Sequence, residues 1–311
     1  MSLGGKTGTK YLTILWHLGA LIIVSFWATS FLSTKVLMED GGFTPVEMYV
    51  YRFIGAYILI LLFTFKKFRS NSIIDEFTFF LSGICAGSLY FVTENYALTL
   101  TSAGNVSLLA STSPLFTTFL MALVFKQKLK TGVLVGSAIA LAGISCIIFA
   151  NGESLEFKPK GDFLAITAAL CWAIYTIAIR RLIPNYTSIF ITRKLFFYGV
   201  ITALPLLLLQ NEPLHLHLLF NLQHPAYIFN FTYLVACCSV LAYVIWNEAM
   251  KNLGAVTANN YLYLQPPITM IAGYFLLHEQ VYLLGILGCG LVIVGLIISD
   301  KWKGSISFRK K

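Results

Sequence analysis

Ten apolar stretches divide the chain, at residues 11–34, 45–65, 77–99, 102–125, 131–150, 161–182, 189–210, 226–249, 254–277 and 281–299. Each is close to or above the ~20 mainly apolar residues that an α-helix needs to cross a bilayer. A backbone in lipid must satisfy its own hydrogen bonds, so repeated runs of this length predict an all-α integral membrane protein of ten transmembrane helices. The connections are too short to hold a separate soluble domain. Only 11% of the residues are charged, less than half the roughly 25% of ordinary soluble domains. The first run follows Lys6 and Lys10. It is too long for the core of a cleaved signal and reads as an uncleaved first span.

The net charge of +9 is unevenly placed. Sixteen Lys and Arg flank the runs on the side of the N-terminus, and three (Lys35, Lys158 and Lys160) lie on the other. Basic loops stay cytoplasmic, so a multi-pass protein of the cytoplasmic membrane with both termini cytoplasmic is expected. The same pattern makes the charge a matter of topology, and no nucleic-acid partner is expected. The six cysteines fall inside apolar runs, without metal-site or disulfide spacing. His215-x-His217 lies in the polar loop from Gln210 to Pro225, reads as solvent-facing, and is no metal site by itself. The segment GGKTGTK lacks the spacing and the preceding strand of a phosphate-binding loop. No cofactor, metal or enzymatic reaction is expected.

Two of the runs are interrupted. Ser111-Thr112-Ser113-Pro114 lies near the middle of the fourth, and Tyr263-Leu264-Gln265-Pro266-Pro267 near the middle of the ninth. Proline removes a ladder donor and clashes with the preceding turn. In lipid such a break is tolerated where protein or a water-filled cavity satisfies the freed groups. The two stretches also fall in register. An offset of 152 residues pairs Asn95 with Asn247, Ala103 with Ala255, Pro114 with Pro266, Gly136 with Gly288 and Gly143 with Gly295. Before the third run an offset of 145 pairs Trp27-Ala28 with Trp172-Ala173. The chain therefore reads as two five-helix repeats, 11–150 and 161–299. Five is odd, so the second repeat enters the membrane from the opposite side, an arrangement that in many transporters frames a midplane site.

The stretches FWATSFLSTKVL with YRF, NYALTLTSAGNVSLLASTSPLFTTFLMALVF, and its echo NEAMKNLGAVTANNYLYLQPPITMIAGYFLLHEQ resemble the drug/metabolite transporter superfamily in its EamA-type, two-repeat, ten-span form. The resemblance implies export or facilitated passage of small metabolites, often amino acids. At the acidic position of the family's turn Glu279 stands in the second half and Gln127 in the first.

Candidate substrate-binding residues follow from the polar groups within the runs. Ser111 and Ser113 precede Pro114. Asn259, Tyr263 and Pro266 fall at helical spacing, with Gln265 beside them. Tyr263 and Gln265 are the larger groups, so they are expected to influence selectivity more than the serines. Trp172, with Tyr175, is expected to line a cavity. Glu94 is an intramembrane carboxylate, a candidate proton carrier or partner of a substrate amine. Arg52 is a candidate partner for Glu94 or for a substrate carboxylate. The expected partners are a small-molecule substrate, the lipid bilayer and, if Glu94 titrates, protons. Alternatives are a sugar- or nucleotide-sugar-type exchanger and a non-transporting membrane protein on the same scaffold.

Overall fold

The computed structural model describes residues 4–64, 68–101, 103–126, 128–150, 158–209, 214–220, 224–277, 280–302 and 305–306. Gln127 and Glu279 lie outside them. The first half comprises α1 (Gly4–Lys35), α2 (Pro45–Thr64), α3 (Ile73–Gly83), α4 (Leu89–Leu100), α5 (Ala103–Ala110), α6 (Ser113–Phe125) and α7 (Thr131–Ala150). The second comprises α8 (Pro159–Leu182), α9 (Ser188–Leu208), α10 (Pro225–Val235), α11 (Ala242–Leu253), α12 (Ala255–Asn260), α13 (Gln265–Leu277) and α14 (Leu283–Lys301). The helical expectation needs one addition. Leu129–Lys130 (β1) pairs antiparallel with Ser305–Ile306 (β2).

Helix starts follow local chemistry. Thr44 and Glu47 exchange side-chain-to-backbone bonds at the head of α2, satisfying two otherwise unpaired donors. The Ser72 hydroxyl accepts the Asp75 N–H to cap α3, whose first turn carries Asp75 and Glu76 against the helix dipole. Gly254, at φ +85°, ends α11, a conformation that costs glycine little.

Among the described residues nine helical segments are long and apolar enough to cross a membrane. The ninth apolar run is not one of them. It is divided into α12, a 3₁₀ turn at Tyr261–Leu264, and α13. The fourth run divides likewise, with α5 ending at Ala110 and α6 starting at Ser113. Pro114 and Pro266 are each the second residue of the helix after the break. There a missing N–H removes no ladder bond, so these prolines start helices instead of kinking helix interiors.

A second pair of irregularities has no counterpart in the sequence reading. π-helical turns occupy Ile84–Ser88, between α3 and α4, and Ala236–Leu241, between α10 and α11. They begin 152 residues apart, the repeat offset. A π turn shifts the ladder and changes which carbonyls it uses. Here two equivalent carbonyls accept from core aromatics: Ala86 O from the Tyr243 hydroxyl at 2.9 Å, and Cys238 O from Trp27 Nε1–H at 2.9 Å.

The packing keeps its scheme when the halves are exchanged. α1 packs on α11 and α13, and α8 packs on α4 and α6. α2 packs on α9, and α7 on α14. The α7–α14 contact is the closest. A Cβ on Gly136 would lie 2.3 Å from Gly295 O, and one on Gly143 2.6 Å from Gly288 O. Residue numbers rise along α7 as they fall along α14, so the two helices are antiparallel. Each glycine meets the repeat equivalent of the other, as a local two-fold axis requires.

Polar contacts tie the halves together at both ends of α2. Near its C-terminal end, Lys194 Nζ lies 2.6 Å from Glu76 Oε1. The Tyr186 hydroxyl donates to Asp75 Oδ2 at 2.8 Å. Burial, with Asp75 alongside, pushes the Tyr186 hydroxyl up, which keeps it a protonated donor. Arg193, near the start of α9, is buried; its guanidinium donates to Thr64 O and lies over the Phe68 and Phe190 rings. At the other end of α2, Glu47 is 1% exposed and accepts from the His215 N–H at 2.7 Å, with His215 Nδ1 3.0 Å from its other oxygen. The expectation that His215 faces solvent is therefore corrected: its loop docks on a buried carboxylate.

Candidate functional site

The two symmetry-related tryptophans meet in the centre of the molecule. Trp27 on α1 and Trp172 on α8 lie edge to face, with centroids 5.5 Å apart and planes at 88°. Trp246 on α11 packs against Trp27 at 5.0 Å and Trp172 at 6.4 Å. Tyr243, Tyr90 and Tyr175 complete the group, at 6.2, 5.4 and 5.2 Å from the Trp172 ring. Edge-to-face pairs set the positive ring edge against a negative face and stabilise by about 0.5–1.5 kcal/mol each beyond burial. All but Tyr90 are buried, and the group draws on both halves of the chain.

Polar groups border these rings. The Glu94 side chain is buried, and its Oε1 accepts from the Tyr90 hydroxyl at 2.7 Å. Trp172 Nε1–H donates to Asn259 Oδ1 at 3.0 Å. The Asn259 amide in turn donates to Ala255 O at 2.9 Å and Thr176 Oγ1 at 3.4 Å. The Tyr175 hydroxyl donates to Asn247 Oδ1 at 2.8 Å, and Asn247 donates to Thr192 Oγ1 at 3.1 Å. Buried amides held on both sides this way have fixed orientations, which a recognition site needs.

The Arg52 guanidinium, a candidate partner for Glu94 or for a substrate carboxylate, bonds to the second π turn and not to Glu94. Its Nε donates to Ser239 Oγ at 2.7 Å and an NH2 to Cys238 O at 3.2 Å, and it lies 5.5 Å from the Phe53 and Phe91 centroids. Glu94 instead accepts from the Tyr90 hydroxyl. The reason lies in the second π turn, which presents Ser239 and a shared carbonyl to α2.

Of the sequence candidates, Trp172, Tyr175, Asn259 and Glu94 come together, with Arg52 beside them. Ser111, Ser113, Pro114 and Pro266 are buried at the two helix breaks, and α12 packs against α6 there. Gln265 is half-buried. Tyr263 does not join the aromatic group. It packs with Ala140, Ile144 and Val292 of α7 and α14, its hydroxyl beside Ser137. The expectation that Asn259 and Tyr263 share a helical face fails because a 3₁₀ turn follows Asn260 and rotates the side chains out of the 3.6-residue period. Glu248, on α11, accepts from the Ser188 hydroxyl at 2.8 Å. Sequence reasoning missed Tyr243, Trp246 and Thr176. For Trp246 a signal was present: it stands 152 residues after Glu94, at the equivalent place in the second repeat.

Comparisons with known proteins agree with this architecture. The chain is 28% identical over 293 residues to an uncharacterized transporter of Archaeoglobus fulgidus, covering 91% of this chain and 96% of that one. It is 25% identical to an uncharacterized transporter of Clostridium kluyveri, covering 90% and 91%. A relative in Streptantibioticus cattleyicolor, described as a "probable terminal-alkyne amino-acid exporter", is 26% identical over 71% of this chain and 72% of its own. A solved crystal structure superposes with a TM-score of 0.72 at 18% identity, covering 94% of this chain and 98% of the other, and so shares the fold. Two segments, residues 14–149 and 159–299, each match the EamA-like transporter family. The chain thus carries two EamA repeats, is a multi-pass membrane transporter and not an enzyme, and belongs to the EamA-like transporter family.

Proposed function

We propose that the chain is a secondary transporter that exports amino-acid-like metabolites across the cytoplasmic membrane by alternating access. Its two repeats cross the membrane five times each in opposite directions, the ninth crossing being the broken run 254–277. Both termini are cytoplasmic. The observation that carries the proposal is the central aromatic group, to which each repeat contributes the equivalent tryptophan and which is bordered by Glu94, Asn247 and Asn259. A carboxylate, amides and rings in one buried place suit a solute with an amine, a polar group and an apolar body. The exporter named among the relatives points to the same substrate class.

Access switches as one repeat rocks against the other, with the α7–α14 glycine contact as the fixed axis. The Lys194–Glu76 contact closes the cytoplasmic side and the Glu47–His215 contact the outer side.

The test is counterflow in proteoliposomes with a panel of amino acids, amines and sugars, run with and without a pH gradient. Saturable movement of an amino acid is expected. Movement of sugars alone would overturn the substrate class, and movement of no solute would overturn transport.

A further inference from the structure

We infer that Trp246 is a specificity-determining residue of the central site, its indole N–H donating to an anionic or carbonyl group of the substrate while Glu94 receives the substrate amine. The inference rests on the transport reading above and assigns the two polar poles of that site.

Three indoles meet in the core, and two have acceptors. Trp27 Nε1–H reaches Cys238 O, and Trp172 Nε1–H reaches Asn259 Oδ1. Trp246 is 0% exposed, and its Nε1 has no acceptor. Nearly all buried N–H groups in folded proteins are paired, so an orphan among satisfied neighbours needs an explanation. Packing alone is a poor one. A phenylalanine would fill most of the same apolar space without the penalty of about 1–3 kcal/mol for an unmet buried donor. The ring lies within the aromatic group, against Trp27 and Trp172, where a solute bordered by Asn259 and Glu94 would sit.

The repeat register supplies the second observation. Trp246 and Glu94 are 152 residues apart, the offset that relates the repeats throughout this region. They occupy equivalent places on α11 and α4, so an approximate two-fold axis relates the two positions. One side presents an acceptor and the other a donor. An asymmetric pair of poles about a symmetric scaffold matches a substrate whose two ends have opposite charge. The apolar body would lie on the rings between them, which also favour an ammonium group over their faces.

Two matched sets of probes separate the poles: L-leucine with 3-methylbutylamine and 4-methylpentanoate, and L-phenylalanine with 2-phenylethylamine and 3-phenylpropanoate. Each set holds the body constant and removes the carboxylate or the amine. Binding to purified full-length protein is read from thermal stabilisation, since a ligand that binds the folded state raises its melting temperature. In the Trp246→Phe variant, affinity for the amino acid of the better-bound set is expected to fall about tenfold while that for the matching amine is unchanged, the size expected for one hydrogen bond to a charged group. In the Glu94→Gln variant the amine is expected to lose binding and the matching acid to keep it. Unliganded Trp246→Phe should melt at or above the wild-type temperature, because no bond is lost. Unchanged amino-acid affinity in that variant, or an equal loss for amino acid and amine, would overturn the inference. So would failure of both sets on the wild type. In that last case, movement of another solute in the proteoliposome panel would leave the transport proposal standing, and movement of none would remove both.

Discussion

Trp27 and Trp172, 145 residues apart in the chain and equivalent in the repeat, touch at 5.5 Å in the middle of the molecule. A pair of symmetry-related side chains can meet only near the axis that relates them. Their contact therefore marks where the halves join, and Glu94, Asn247 and Asn259 border it.

Replacing Trp172 separates its two roles. Trp172→Phe keeps a ring and removes the bond to Asn259, leaving that amide oxygen without its donor. Substrate affinity in the counterflow assay is expected to fall about tenfold or more, with a stability loss of roughly 1–3 kcal/mol. Trp172→Ala removes the ring and should abolish binding. Wild-type counterflow in either variant would contradict a role for Trp172 in the site.

The α7–α14 contact leaves no room for a side chain at its centre. Gly143→Ala would push a methyl to 2.6 Å from Gly288 O. The backbones must separate, at a cost of about 1–3 kcal/mol. Gly290 lies on α14 with nothing within 4 Å of an added Cβ, so Gly290→Ala is expected to be neutral or slightly stabilising by helix propensity. Thermal unfolding in detergent compares them, and equal melting temperatures would argue against the tight crossing.

Lys194 and Glu76 hold α9 to α3. Their side chains are 10% and 30% exposed, intermediate between surface and core. Lys194→Ala should destabilise by about 1–3 kcal/mol, between the values for exposed and buried pairs. If this contact closes the cytoplasmic side, the variant should also label more readily from that side at a cysteine placed at Ser70. Unchanged labelling would separate the contact from gating.

His215→Ala removes a partner from Glu47, which is 1% exposed. The His215 backbone N–H bond remains, so the loop is expected to loosen without detaching. Hydrogen exchange of residues 214–220 should accelerate about tenfold, and exchange within α2 should change little. Unaltered loop exchange would show that the imidazole contact does not hold it.

The repeat register was legible because identities at a constant offset survive without knowledge of contacts. Pro114 and Pro266 marked both helix breaks for the same reason. The centre of the site was less legible. A single polar residue signals its own burial cost, which is why Glu94 and Asn259 stood out. Trp246 carries no such cost in sequence, since a tryptophan in an apolar run is ordinary. Its register with Glu94 was the sequence signal; its unmet donor appears when the neighbouring indoles are seen to have acceptors. The π turns were invisible because the ICAGS and ACCSVL segments contain no proline and fit an α-helix as readily. They decided where Arg52 went. The shared face of Asn259 and Tyr263 fails because the segment between them changes to 3₁₀ geometry.

On the proposed alternating-access mechanism, the region around Trp172 and Asn259 lies on a path reached in turn from the two sides of the membrane. Thr176 is fully buried there, one turn beyond Trp172 and bonded to Asn259. A Thr176→Cys variant, made after replacing the six native cysteines, can be labelled in oriented vesicles with a membrane-impermeant thiol reagent. Labelling from either side, slowed when a transported amino acid is present, is the expected result. A thiol that stays unreactive from both sides while the same protein carries out counterflow would contradict the claim.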